Sequence, residues 1–136
     1  MKRRAEVASA CTPAQRLLSL ERGTADPARF GHREHLECAW AALEEAPLGQ
    51  AADRLAAALR RFAGSVGKPD RYHETQTWAF MVLVEERRRA RPGLCIGEFF
   101  AAWPELLDRG ILLRHYGEAE LASDRARRAF VLPQPR

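Results

Sequence analysis

The sequence predicts an all-α protein, a helical bundle of about four principal helices with short accessory helices. Three observations carry that expectation. Apolar residues recur at three- and four-residue spacing along most of the chain. Alternation with a period of two, the mark of a half-buried strand, is nearly absent. Start and stop residues punctuate the chain: Thr12-Pro13, Asp26-Pro27 and Ser123 as starts, Gly23, Gly67 and Pro92-Gly93 as stops.

Taken in order, Thr12-Pro13 reads as an N-cap with proline at the first helical position, opening a short helix through Leu17, Leu18 and Leu20 that stops at Gly23. Asp26-Pro27 begins a single turn and delivers Phe30 and Gly31 to the next helix. The first long helix is expected from about His32 to Ala46, with His32, Leu36, Ala39, Trp40 and Leu43 on its apolar face and His35 on the flank. Pro47-Leu48-Gly49 breaks it. The next runs from about Gln50 to Val66 on a stripe of Leu55, Leu59, Phe62 and Val66, with Gly67 as its cap.

A further long helix covers about Tyr72 to Ala90. Trp78 to Val84 is apolar throughout, which implies a central helix or a buried strand; length and the arginine-rich end favour helix. Ile96–Trp103 and Pro104–Asp108 read as two helical pieces divided by a proline. Ile111–Tyr116 makes one or two turns before Gly117. Ser123 caps a terminal helix through Phe130, and Val131-Leu132-Pro133 is extended.

At 136 residues the chain is expected to form one domain over 1–136, with residues 1–11 disordered for want of an apolar anchor. No apolar run reaches the roughly 18 residues of a membrane-spanning helix, and no apolar region follows the basic Met1-Lys2-Arg3-Arg4 as a signal peptide requires. Cys11, Cys38 and Cys95 are odd in number and far apart, so neither a disulfide framework nor a cysteine-rich zinc site is expected. A cytoplasmic setting follows. The net charge is +4, with arginine clusters at Arg60-Arg61, Arg87–Arg91 and Arg125–Arg128. Acidic residues are interspersed and no nucleic-acid-binding motif is present, so solvated faces are the expected role of these clusters.

The chemistry concentrates in two segments. Phe30-Gly31-His32-Arg33-Glu34-His35-Leu36 and Tyr72-His73-Glu74-Thr75 hold three of the four histidines. A helix stacks His32 and His35 one turn apart. If the two helices pack side by side, His32, His35, His73 and Glu74 converge as a metal-ligand set for zinc, iron or manganese, with His73 and Glu74 as the catalytic pair and Glu74 as fourth ligand or general base. Adjacent helical residues point about 100° apart, which works against His73 and Glu74 sharing one centre, so one of them is expected to support or cap instead. A metal-free version uses His73 as general base, a carboxylate such as Glu74 or Glu34 behind it, and Tyr72 as donor. Thr75 and Thr77 can bond a substrate or the preceding helical turn; the turn is favoured for Thr75. His115-Tyr116 either closes the pocket from the C-terminal side or forms an exposed pair before Gly117.

The ordered set Phe30-x-His32-x-x-His35-Leu36, Tyr72-His73-Glu74-Thr75-x-Thr77, Leu113-x-x-Tyr116 and Leu121-x-Ser123 through Pro133 resembles a functionally uncharacterised family of small bacterial helical proteins with F-x-H-x-x-H-L and Y-H-E-T-x-T motifs. The resemblance implies that His32, His35, His73 and Glu74 belong to one site. It brings no substrate or reaction. Gln76 stands between the threonines, where the family has an aliphatic residue.

Three readings follow. The first is a metal-binding protein or metalloenzyme acting on a small polar substrate through the His/His/His/Glu pocket. The second is a non-enzymatic helical module binding a protein or ligand, in which the histidines fix core hydrogen bonds and Trp40, Trp78 and Trp103 offer a contact surface, core packing being the expected role of at least two of them. The third is a metal-free histidine–carboxylate acid–base enzyme. Neither nucleic acid nor a membrane is an expected partner.

Overall fold

The computed structural model describes residues 11–135. The disorder expected over 1–11 concerns residues that, Cys11 apart, lie outside the described ones. The protein is all-α, and the described residues contain no strand. Four longer helices form the body: α1 (Pro13–Arg22), α2 (His32–Glu45), α3 (Leu48–Ser65) and α4 (Glu74–Ala90). Three shorter ones follow: α5 (Ile96–Ala102), α6 (Glu118–Leu121) and α7 (Asp124–Arg128). Short 3-10 turns at Pro27–Arg29, Pro69–Arg71, Pro104–Leu107 and Arg109–Arg114 join them. No helix is long and apolar enough to cross a membrane among the described residues.

The caps explain the boundaries. Thr12 Oγ1 accepts the Gln15 amide while the Gln15 side chain accepts the Thr12 amide, a reciprocal box at the head of α1. Gly23 closes α1 with φ +76°, where a side chain would be strained. Glu34 Oε1 accepts the Gly31 amide at 2.8 Å and starts α2. Gly67, at φ +75°, terminates α3 and lets the Lys68 amide reach back to the Ala63 carbonyl. α4 begins at Glu74, two residues beyond the expected Tyr72, because Pro69–Arg71 takes a 3-10 turn and His73 is the N-cap.

The core lies between α1, α2, α3 and α4. Leu17 and Leu20 of α1 meet Leu36, Ala39 and Ala42 of α2, Ala51 and Leu55 of α3, and Met81 and Val84 of α4. Alanines on α2 and α3 permit the close approach. α2 buries the widest arc, whereas Trp78, Ala79 and Val82 of α4 remain partly exposed. Glu37 is 7% exposed within that arc. Its carboxylate accepts from Arg16 Nε at 2.7 Å and Arg33 Nε at 3.3 Å, which offsets the cost of burying it. Arg54 of α3 forks onto Glu21 of α1 at 2.6 and 3.0 Å and reaches Glu45 of α2 at 2.6 Å.

The C-terminal part returns to α4. Thr75 Oγ1 donates to the Ala129 carbonyl at 2.9 Å and accepts the Val131 amide at 3.1 Å. Tyr116 Oη donates to the Val131 carbonyl at 2.8 Å. This bracket ends α7 at Arg128, short of the expected Phe130, and holds the tail extended. Thr75 therefore bonds the tail and not the preceding turn of its own helix, while Thr77 Oγ1 does bond the His73 carbonyl at 2.8 Å.

Candidate functional site

α2 and α4 cross with their histidine-bearing N-terminal ends in one region. A cleft of about 640 Å³ opens there. His32 and His35 line it from α2, and Gln76 and Phe80 from α4. The Phe80 ring meets His32 edge-on at 4.8 Å between centroids and His35 at 6.3 Å. Three arginines complete the wall: Arg71 before α4, Arg109 after α5, and Arg127 on α7.

The two imidazoles are held differently. His32 Nε2 donates to the Leu106 carbonyl at 2.9 Å; a carbonyl only accepts, so this ring is the Nε2–H tautomer and Nδ1 is bare. His35 Nε2 is shut off from water and has no hydrogen-bond partner among the described residues. Burial pushes the His35 pKa down to about 4, with the charges of His32 and Arg109 acting in the same sense. His32 is lowered too, again by burial first and by Arg109 next among the lowering causes. Both rings are therefore neutral at pH 7.

His73 and Glu74 do other work. His73 Nδ1 accepts the Gln76 amide at 3.1 Å, as an N-cap side chain does, and Nε2 donates to the Leu121 carbonyl at 2.7 Å. Both ring nitrogens are spent, and no lone pair is left for a metal or a substrate proton. Glu74 Oε1 accepts from Tyr72 Oη and from Arg60 at 2.8 Å. The Arg60 guanidinium also lies 4.7 Å over the Tyr72 ring. Burial, together with the Glu74 bond, pushes the Tyr72 hydroxyl up, so it stays protonated.

The structure thus brings His32 and His35 to one cleft, sets His73 beside His35 in an adjoining hollow of about 170 Å³, and engages His73 and Glu74 in bonds of their own. Among the described residues, no group of three or more His, Cys, Asp or Glu side chains is arranged to hold a metal ion. Bringing all four expected ligands onto one zinc, iron or manganese ion would break the cap of α4 and the Arg60–Glu74 pair. His115 is exposed, while Tyr116 is buried and occupied with the tail. Cys38 is buried with its thiol pushed up to about 12, which leaves it unreactive.

Sequence reasoning missed Arg71 and Arg109 as wall residues, because they come from separate turns and carry no local motif; Arg127 was visible only within the Arg125–Arg128 cluster expected to form a solvated face. Gln76 was visible only as a departure from an aliphatic position. Comparison with family models, with curated proteins and with solved structures returned no match.

Proposed function

We propose that this chain is a helical small-molecule-binding protein whose ligand occupies the cleft between α2, α4 and the C-terminal turns, in contact with His32, His35 and Gln76. The observation that carries this reading is His35 Nε2. A buried ring nitrogen without a partner costs about 1–3 kcal/mol. Phe or Leu would fill the same place beside Phe80 without that cost, so packing alone does not account for an imidazole. The His35 ring lines the cleft, and a rotation of the ring that turns this nitrogen toward a ligand recovers the loss. The cleft has the volume of an ordinary small-molecule site and joins aromatic faces to a few polar groups.

Acid–base catalysis by His73 over Glu74 is less well supported, since both side chains have structural partners. His32 keeps a bare Nδ1 and is the better proton acceptor of the pocket.

A library of small polar fragments, neutral and charged, screened by saturation-transfer NMR tests the proposal. Fragments are expected to bind the wild type and to weaken about tenfold or more in Gln76→Leu and His35→Phe, with unchanged helical circular dichroism. Fragments that bind all three proteins equally would place the ligand elsewhere. Zinc or iron(II) binding that is lost in His35→Phe, with no organic fragment bound, would favour the metal reading instead.

A further inference from the structure

The cleft wall is unbalanced in charge. Arg71, Arg109 and Arg127 line it, and no Asp or Glu does. Neither Arg71 nor Arg109 is ion-paired among the described residues. Arg127 spends one nitrogen, Nη1, on the Asp70 carbonyl at 3.0 Å and keeps the rest of its fork. Five arginines outside the cleft, Arg16, Arg54, Arg60, Arg87 and Arg88, each meet a carboxylate within 3.1 Å. Asp108, the acid whose charge reaches His32, accepts the Gly110 amide at Oδ1 at 2.8 Å. The charge of Arg109 bears on both imidazoles, so it acts at the same place as the unpartnered His35 nitrogen.

Resting on the pocket reading above, we infer that the ligand is a small oxyanion, a molecule whose carboxylate or phosphate group is held by Arg71, Arg109 and Arg127 while its remaining polar atoms meet Gln76 and the histidines. Three guanidinium groups around one concavity repel one another and repel a cation. An anion relieves that repulsion, and the planar fork of arginine matches the two oxygens of a carboxylate or phosphate. Low-dielectric walls strengthen the attraction: Phe30 and Phe80 supply them. A neutral ligand would need none of the three charges. The cleft is a concavity of about 640 Å³, which suits a free small molecule.

The test is a titration followed by histidine side-chain NMR, at constant ionic strength, with inorganic phosphate, succinate and neutral glycerol as probes. Saturable shifts of His32 and His35 with phosphate or succinate, and none with glycerol, are expected; the tighter of the two identifies the anionic group. Binding should weaken at least about tenfold in Arg71→Gln/Arg109→Gln and stay unchanged in Arg125→Gln, which lies outside this cleft. Equal binding by wild type and the double variant overturns the inference, as does glycerol displacing the anion. Neutral fragments that bind the cleft while both oxyanions fail would sink the anion and leave the pocket standing. Failure of oxyanions and fragments alike would remove both. Arg71 and Arg109 are exposed, so the double variant is expected to fold, and the comparison of probes on the wild type decides the matter without it.

Discussion

At His73, the nitrogen a metal would need already accepts the Gln76 amide, and the other nitrogen carries the proton that binds Leu121. Its role is to cap α4 and tie it to α6. Loss of an N-cap side chain costs about 1 kcal/mol, and loss of the second bond about as much again. His73→Ala should therefore lose about 2 kcal/mol in urea denaturation, and His73→Asn should recover the cap portion. An alanine variant as stable as wild type would contradict this role. The sequence carried a hint of it, since adjacent His73 and Glu74 cannot share one helical face. What it lacked was the turn at Pro69–Arg71 that takes His73 out of the helix.

The elements depend on unequal anchors. Helices α1, α2 and α4 begin at side-chain caps, and α3 begins after Pro47; all four carry a buried apolar face. The segment after Gly117 differs: α6 and α7 have four and five residues and cannot stand without tertiary support. Thr75 provides much of it by receiving the Val131 amide and donating to Ala129. Thr75→Val keeps the shape and removes both bonds. It should cost about 1–3 kcal/mol, because a carbonyl and an amide lose their partner, and should raise hydrogen exchange at Val131 more than in α2. Unchanged protection at Val131 would show that the tail is held by other contacts. A sequence reading could place Ser123 as a cap, yet the partner of Thr75 lies 54 residues away and left no trace in local pattern.

For the whole molecule, three buried or half-buried histidines make stability depend on pH. His32, His35 and His73 all have lowered pKa values, with burial as the first cause in each. The unfolded chain takes up these protons near pH 6.5, whereas folded His35 resists until about pH 4. Between those values the unfolded state binds more protons. Stability is therefore full above about pH 6.5 and falls as pH drops toward 4, by up to about 3 kcal/mol for His35 alone. Urea midpoints measured from pH 7.5 to 5 check the sign. His35→Phe should flatten the slope by up to about 1.4 kcal/mol per pH unit. An unaltered slope would mean that His35 is not the resisting group.

The sequence by itself determined the helical class, the order of the long helices, and most of their ends, because helix periodicity and caps are local properties of neighbouring residues. It also pointed to the region where α2 and α4 meet, since His32 and His35 share a helical face by spacing alone. Only the tertiary structure decided how that region is used. It gave His73 to Leu121 and Glu74 to Arg60, left His35 Nε2 without a partner among the described residues, and gathered Arg71, Arg109 and Arg127 along the cleft that His35 lines. Those outcomes depend on contacts between residues up to 74 positions apart, as in the His32–Leu106 bond, and such contacts follow from how whole helices pack and not from any spacing along the chain.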